Sequence, residues 1–226
     1  MAKKSKQDDE ILVDLETKVS SAEAFLEKNK TIITSVFAAI IIGVGGYLAF
    51  TSLYLAPKEK EAQFELYLAQ ELFEEEDFLQ SIEGDGNAIG FLAIAEDYRW
   101  TKAANLSNYY AGIAYLNLGD YKNAITYLDK FSTKDDILSV VSKGAIGDAF
   151  MELNQLNEAL DYYSKASTKS NNSMVVPLYL ERAGHTALML EDNKKAMRFY
   201  ERIVNDFPES READNAKKMI AKLDVK

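Results

Sequence analysis

Along most of this chain the apolar positions recur with a helical period. From Asp8 to Asn29 they fall at Ile11, Leu15, Val19, Ala22 and Leu26, steps of four, four, three and four, which is the spacing of one helix face. Between Thr31 and Leu55 the polar face disappears: the 25 residues TIITSVFAAIIIGVGGYLAFTSLYL carry no charge. From Lys58 to Glu76 a single apolar face returns through Ala62, Leu66, Ala69, Leu72 and Phe73. Three glycines, Gly84, Gly86 and Gly90, then interrupt the stretch EEDFLQSIEGDGNAIGF, where a second helix is expected to break.

The later half of the chain is repetitive. In YLNLGDYKNAITYL, residues 115 to 128, the pair Gly119-Asp120 separates two amphipathic runs, the pattern of a helical hairpin turn. Ala124 aligns with Ala159 in FMELNQLNEALDYYSKA and with Ala196 in LMLEDNKKAMRFYERI, at spacings of 35 and 37 residues. Those spacings lie close to the roughly 34-residue period of the tetratricopeptide repeat. With repeats starting at Asn105, Val140 and Pro177, the eighth place holds Gly112, Gly147 and Gly184, where two helices are expected to cross closely. The eleventh place holds Tyr115 and Phe150, with Ala187 departing from the pattern. Asp77, Phe78 and Ser81 stand where Asp120, Tyr121 and Ala124 stand, so a degenerate first repeat with an insertion is expected over 58–104. Phe207-Pro208 closes the third clear repeat, and Ser210 is expected to cap a last helix with a polar outer face.

The uncharged run is long enough to cross a bilayer, which takes about 20 residues, and a helix of that length in a soluble domain would show a polar face. The 30 residues before it, and its own length, disfavour a cleaved signal peptide, so a retained anchor is expected, with Pro57 at its exit. Within it Ala39 and Gly43, and Gly45 and Ala49, are each four apart, candidate positions for close approach of another membrane helix. Lys28 and Lys30 border one end and Lys58 and Lys60 the other. Long following domains cross regardless of this balance, so the N-terminus is expected inside and the bulk of the chain outside.

Charge narrows the partners. Six of the 26 Lys+Arg and seven of the 36 Asp+Glu precede Pro57, leaving 20 against 29 in the remainder, a net charge of −9. So acidic a domain, without a basic stripe, argues against nucleic acid and against lying on anionic lipid. Zero cysteines exclude disulfides and thiol catalysis.

Candidate chemistry is sparse. The one histidine, His185, has no cysteine or second histidine to complete a transition-metal site. The GDGN at 84 to 87 lacks the alternating oxygen ligands and closing Glu of a calcium loop, since Asp85 and Asn87 are followed by Ala88, Ile89, Gly90 and Phe91. It also lacks the lysine of a phosphate-binding loop. Glu74, Glu75, Glu76 and Asp77 read as a solvated helix end. No catalytic, metal or cofactor site is expected, and no enzyme.

Together these motifs resemble the tetratricopeptide repeat over roughly residues 60 to 222. The span ending in LAPKEKEAQ, followed by DFLQSIEGDGNAIGFLAIAEDY and TKAANLSNYYAGIAYLNLGDY, resembles Bacteroidetes members of the membrane-anchored envelope repeat proteins. Those are similar to the ancillary subunit of the bacterial Sec translocon. The resemblance implies an all-α protein: a cytoplasmic tail with an amphipathic helix over 1–30, a transmembrane helix over 31–55, the degenerate repeat, three repeats over 105–209 and a capping helix over 210–226. It places the tail in the cytoplasm, the span in the inner membrane and the repeats in the periplasm. It also implies a concave protein-binding face at places five, nine, twelve and thirteen: Tyr109, Ile113, Leu116 and Asn117; Gly144, Asp148, Met151 and Glu152; Glu181, His185, Leu188 and Met189. Lysine and asparagine, which grip acidic chaperone tails in some repeat domains, are replaced here by Tyr109 and Ile113. The implied partners are translocon subunits, a membrane-anchored periplasmic prolyl isomerase chaperone and exported polypeptides, with no cofactor, nucleic acid or small-molecule substrate. A scaffold for outer-membrane protein insertion is the alternative, because DFPESREADNAKKMI is similar to repeat ends in such assemblies.

Overall fold

The computed structural model describes residue 18 and residues 25–168 and 170–224. Most of the amphipathic segment expected from Asp8 to Asn29 lies outside the described residues. The chain divides into two units, Met1–Ala56 and Pro57–Lys226, and every described element is helical.

In the first unit, α1 (Lys30–Ala49) runs into a π-helical turn, Phe50–Leu55, and neither contains a buried residue. Ile32, Ile41, Ile42 and Leu53 are all exposed, and a Cβ added to Gly43 or Gly45 would meet nothing within 4 Å. By length and composition this segment is long and apolar enough to cross a membrane. The widened turn has a local cause. Pro57 has no N–H to give the carbonyl four residues back, and its ring clashes there in a regular helix. Ala56 instead donates its N–H to Thr51 O, five residues back.

The second unit contains α2 (Ala56–Glu74), α3 (Phe78–Glu83), α4 (Gly90–Asp97), α5 (Lys102–Asn117), α6 (Tyr121–Lys130), α7 (Asp136–Glu152), α8 (Leu156–Thr168), α9 (Val176–Met189), α10 (Asn193–Asp206) and α11 (Ala213–Asp224). From α5 onward, successive helices pack as antiparallel hairpins joined by very short turns. The turn within each hairpin is built alike. Gly119, Asn154 and Glu191 all adopt positive φ, at 78°, 56° and 60°, and the next residue donates its N–H five residues back: Asp120 to Tyr115 O, Gln155 to Phe150 O and Asp192 to Ala187 O, each at 2.9 Å. This is the bonding that satisfies helix C-terminal carbonyls. Asp120 and Asp192 then accept the Asn123 and Lys195 N–H groups, capping the following helix. The turn after α2 has the same form: Glu76 takes φ 63°, Asp77 N bonds Leu72 O at 2.9 Å, and Asp77 accepts from Gln80 N.

The close helix crossings explain the repeated small residues. Ala124, Ala159 and Ala196 are fully buried. A Cβ on Gly112 would stand 2.5 Å from Leu128 Cγ, one on Gly147 would stand 2.6 Å from the Tyr163 ring, and one on Gly184 would stand 2.7 Å from the Tyr200 ring. Each opposing side chain lies four residues after the buried alanine, so one helical turn presents both the gap and its filler. At the eleventh place Tyr115 stacks on Tyr127 at 5.5 Å and Phe150 leans on Tyr162 at 5.4 Å.

Gly84–Ile89 separates α3 from α4. Asp85 Oδ1 accepts the N–H groups of Asn87 and Ala88, both at 2.8 Å. Those donors hold its carboxyl below the usual range. The aspartate therefore closes a turn on its own backbone. Across the loop a Cβ on Gly90 would collide with the backbone of Gly84 and Ile82, so the two ends of the loop meet only because residue 90 is glycine. Phe91 and Ile94 of α4 then pack with Ala62, Leu66 and Ala69 of α2.

One expectation fails at the C-terminal end. Ser210 does not cap the last helix through its side chain: its Oγ is buried without a hydrogen-bond partner, while its backbone N–H bonds Phe207 O and its carbonyl accepts from Ala213 N. The tight turn after Phe207 uses the serine backbone and starts the helix at Ala213, three residues later.

Candidate functional site

Helices α5, α7 and α9 are the first members of successive hairpins, and side chains from all three line an open pocket of about 410 Å³. Leu116 comes from α5, Asp148, Met151 and Glu152 from α7, and Arg182 from α9; Tyr121 and Tyr163 reach in from the second helices. Four of the expected concave residues, Leu116, Asp148, Met151 and Glu152, thus share one wall.

The floor of the pocket is a polar lock between hairpins. Tyr163 Oη donates to Asp148 Oδ1 at 2.7 Å, and Arg182 Nη1 donates to the same oxygen. The Tyr179 ring lies under the Arg182 guanidinium, 5.5 Å from its centroid, and stacks on Tyr163 at 6.3 Å. Burial pushes the Tyr163 phenol well above its ordinary range, and the Asp148 charge adds to the shift. Burial, then Asp148, pushes Tyr179 up to about 12. Both phenols therefore stay neutral across ordinary pH, and Tyr163 keeps the proton that it donates to Asp148. At the rim, Tyr121 Oη donates to Glu152 Oε2 at 3.4 Å.

The other expected residues lie elsewhere. Tyr109 and Ile113 pack with Leu128, Ala145 and Ile146, and Tyr109 also leans on Phe131 at 5.2 Å. Asn117 is exposed and donates back to Ile113 O at 2.9 Å. Gly144 is buried beneath the Tyr179 ring, which a Cβ would strike. Glu181 accepts from Asn215 Nδ2 at 2.6 Å, His185 stands exposed with its ring edge-on to Tyr200 at 6.2 Å, Leu188 packs on the core, and Met189 is 57% exposed. Sequence reading missed Arg182, Tyr121 and Tyr163. The signal for Arg182 was a cation at the sixth place of the next repeat, 34 residues after Asp148 and beside the fifth place rather than on it. Among the described residues no group of three or more His, Asp or Glu is arranged to hold a metal ion.

Two family models described as tetratricopeptide repeat match the chain, one at residues 107–135 and 180–210 and the other at 142–168. No curated protein matches the sequence. Among solved structures, MamA protein superposes with a TM-score of 0.54 at 16% identity, covering 73% of this chain and 86% of that one. The nearly identical TPR-like repeats of a Podosopora anserina kinesin light chain give 0.53 at 11% identity, covering 73% and 85%. At these identities the likeness concerns the fold. The matched segments, the structural neighbours and the hairpin array together support a tetratricopeptide-repeat protein, a class that in general serves protein–protein interaction rather than catalysis.

Proposed function

We propose that this chain is a single-pass, membrane-anchored accessory of the bacterial Sec translocon, which recruits a periplasmic chaperone and contacts exported polypeptides through its repeats. One conjunction carries the reading: a helical segment that is uncharged from Thr31 to Leu55, with none of its residues buried, precedes, in the same chain, a repeat array with an open pocket. An apolar helix with no protein partner is stable in lipid and unfavourable in water. Ala39, Gly43, Gly45 and Ala49 are the positions at which a second membrane helix approaches. In this reading residues 58–104 form a first repeat expanded by the loop at Gly84–Ile89, and residues 210–226 cap the array. The resemblance noted in the sequence supports the inner-membrane placement, with the tail cytoplasmic and the repeats periplasmic.

The test is photo-crosslinking of the full chain in its native cells from Ala39, Gly43, Met151 and Met189, with mass spectrometry of the adducts. Translocon and chaperone subunits at the helix, with exported chains at the methionines, are the expected products. Outer-membrane assembly factors, or adducts to copies of this chain alone, would overturn the accessory assignment.

A further inference from the structure

We propose that the pocket between α5, α7 and α9 receives a lysine or arginine side chain flanked by an apolar residue on a client peptide, an inference that rests on the reading of this face as client-binding. The lining carries two carboxylates, Asp148 and Glu152, against one cation, Arg182. The cation is already answered: Arg182 is paired with Asp148, which also accepts from Tyr163. Glu152 is different. It is exposed, and it accepts only a long 3.4 Å bond from Tyr121 among the described residues. The unanswered charge at the rim is therefore negative.

The neighbouring groups fit the same ligand. Tyr121 stands beside Glu152 with its ring available to a cation. Met151 and Leu116 form the apolar part of the wall, and a thioether adapts to apolar side chains of different shape. A net charge of −9 beyond residue 56 draws cationic segments toward the domain and repels acidic ones. An anionic side chain entering the pocket would meet Glu152 and Asp148, with the one guanidinium committed to the lock.

The experiment uses the full chain in detergent micelles and fluorescein-labelled peptides that differ at one position, Lys, Gln or Glu, next to a constant leucine. Anisotropy titration is expected to show the Lys peptide binding on the order of five-fold tighter than the Gln peptide, the ratio of one exposed ion pair, with the Glu peptide weakest. In Glu152→Gln that Lys-over-Gln ratio falls to about one, while the circular dichroism spectrum is unchanged. Added salt compresses the ratio in the parent. Met151→Gln weakens all three peptides alike. Equal affinities that still depend on Met151 would overturn the charge rule and leave the client-binding face standing. A Lys preference that survives Glu152→Gln would overturn the assignment to this pocket. No binding by any of the three peptides would overturn both.

Discussion

The repeat geometry makes its sharpest prediction at Gly147. An added Cβ there stands 2.6 Å from Cδ1 and Cε1 of Tyr163. That ring has nowhere to go: it is 2% exposed, its hydroxyl donates to Asp148, and its face stacks on Tyr179. Gly147→Ala therefore carries an overpacking cost of about 1–3 kcal/mol. Against it stands the gain of replacing a mid-helix glycine by alanine, about 1 kcal/mol. The net effect in the parent is a destabilisation of about 0–2 kcal/mol. Tyr163→Ala removes the two struck ring carbons and also Cγ, which the added Cβ would meet at 3.2 Å. In that background only the helix-propensity term remains, so the same Gly147→Ala is expected to stabilise by about 1 kcal/mol. Urea unfolding of the four proteins, followed by circular dichroism at constant m-value, gives the cycle. The expected coupling is the overpacking term itself, about 1–3 kcal/mol. An equal effect of Gly147→Ala in both backgrounds, or stabilisation of the parent, would refute the close Gly147–Tyr163 contact as the reason for the glycine.

Other outcomes follow from single contacts. Glu191 holds φ 60° in a hairpin turn, so Glu191→Gly is expected to stabilise by about 1 kcal/mol, read as a raised urea midpoint. Tyr200 Oη is buried without a partner, so Tyr200→Phe is expected to leave the melting temperature unchanged or raise it. Asp148→Ala strands Arg182 and Tyr163; with Asp148 and Arg182 side chains 29% and 39% exposed, the loss is about 1–2 kcal/mol after solvent screening, and a neutral result would remove the lock. Burial raises Tyr179 and Tyr200 from 10 to about 12. Between those values the native state keeps protons that the unfolded chain has lost, so stability is full below about pH 10 and declines as pH rises toward 12. Thermal melting against pH should show that decline, shallower in Tyr200→Phe.

The parts legible in the sequence were those with a residue type of their own. Gly119-Asp120 announced a hairpin turn, Ala124, Ala159 and Ala196 marked buried crossings, and the glycines at 84, 86 and 90 announced the break between α3 and α4. The equivalent turns at Glu76 and Glu191 were illegible as turns because a glutamate, which disfavours it, occupies the left-handed position, whereas Asn154 is a residue type that accepts it. At Glu76 and Glu191 the closing hydrogen bonds and the Asp77 and Asp192 caps, not local preference, hold the backbone. Ser210 failed for the opposite reason. A good capping residue stood at the right distance, but the turn at Phe207 buried its hydroxyl. Within the site, positions counted along the family's repeat located Leu116, Asp148, Met151 and Glu152 together, whereas Arg182 and Tyr163 are defined by packing between hairpins.

This difference separates the frame of the pocket from its working edge. Asp148 sits on the expected binding face, yet its Oδ1 is occupied by Tyr163 and Arg182, and Tyr163 in turn fills the space left by Gly147. A change at Asp148 therefore reaches the crossing of α7 with α8 and the seat of Arg182 on α9, so lost binding in such a variant reports the frame. Glu152 carries no such load, being exposed with one long bond from Tyr121, whereas Met151 forms part of the apolar wall and also packs against the core without entering the lock. Substitutions there leave the hydrogen bonds of the lock intact. Specificity is expected to vary at this edge while the lock beneath it holds the three helices in register, and variants at 151 and 152, not at 148, are the ones whose binding defects identify the partner.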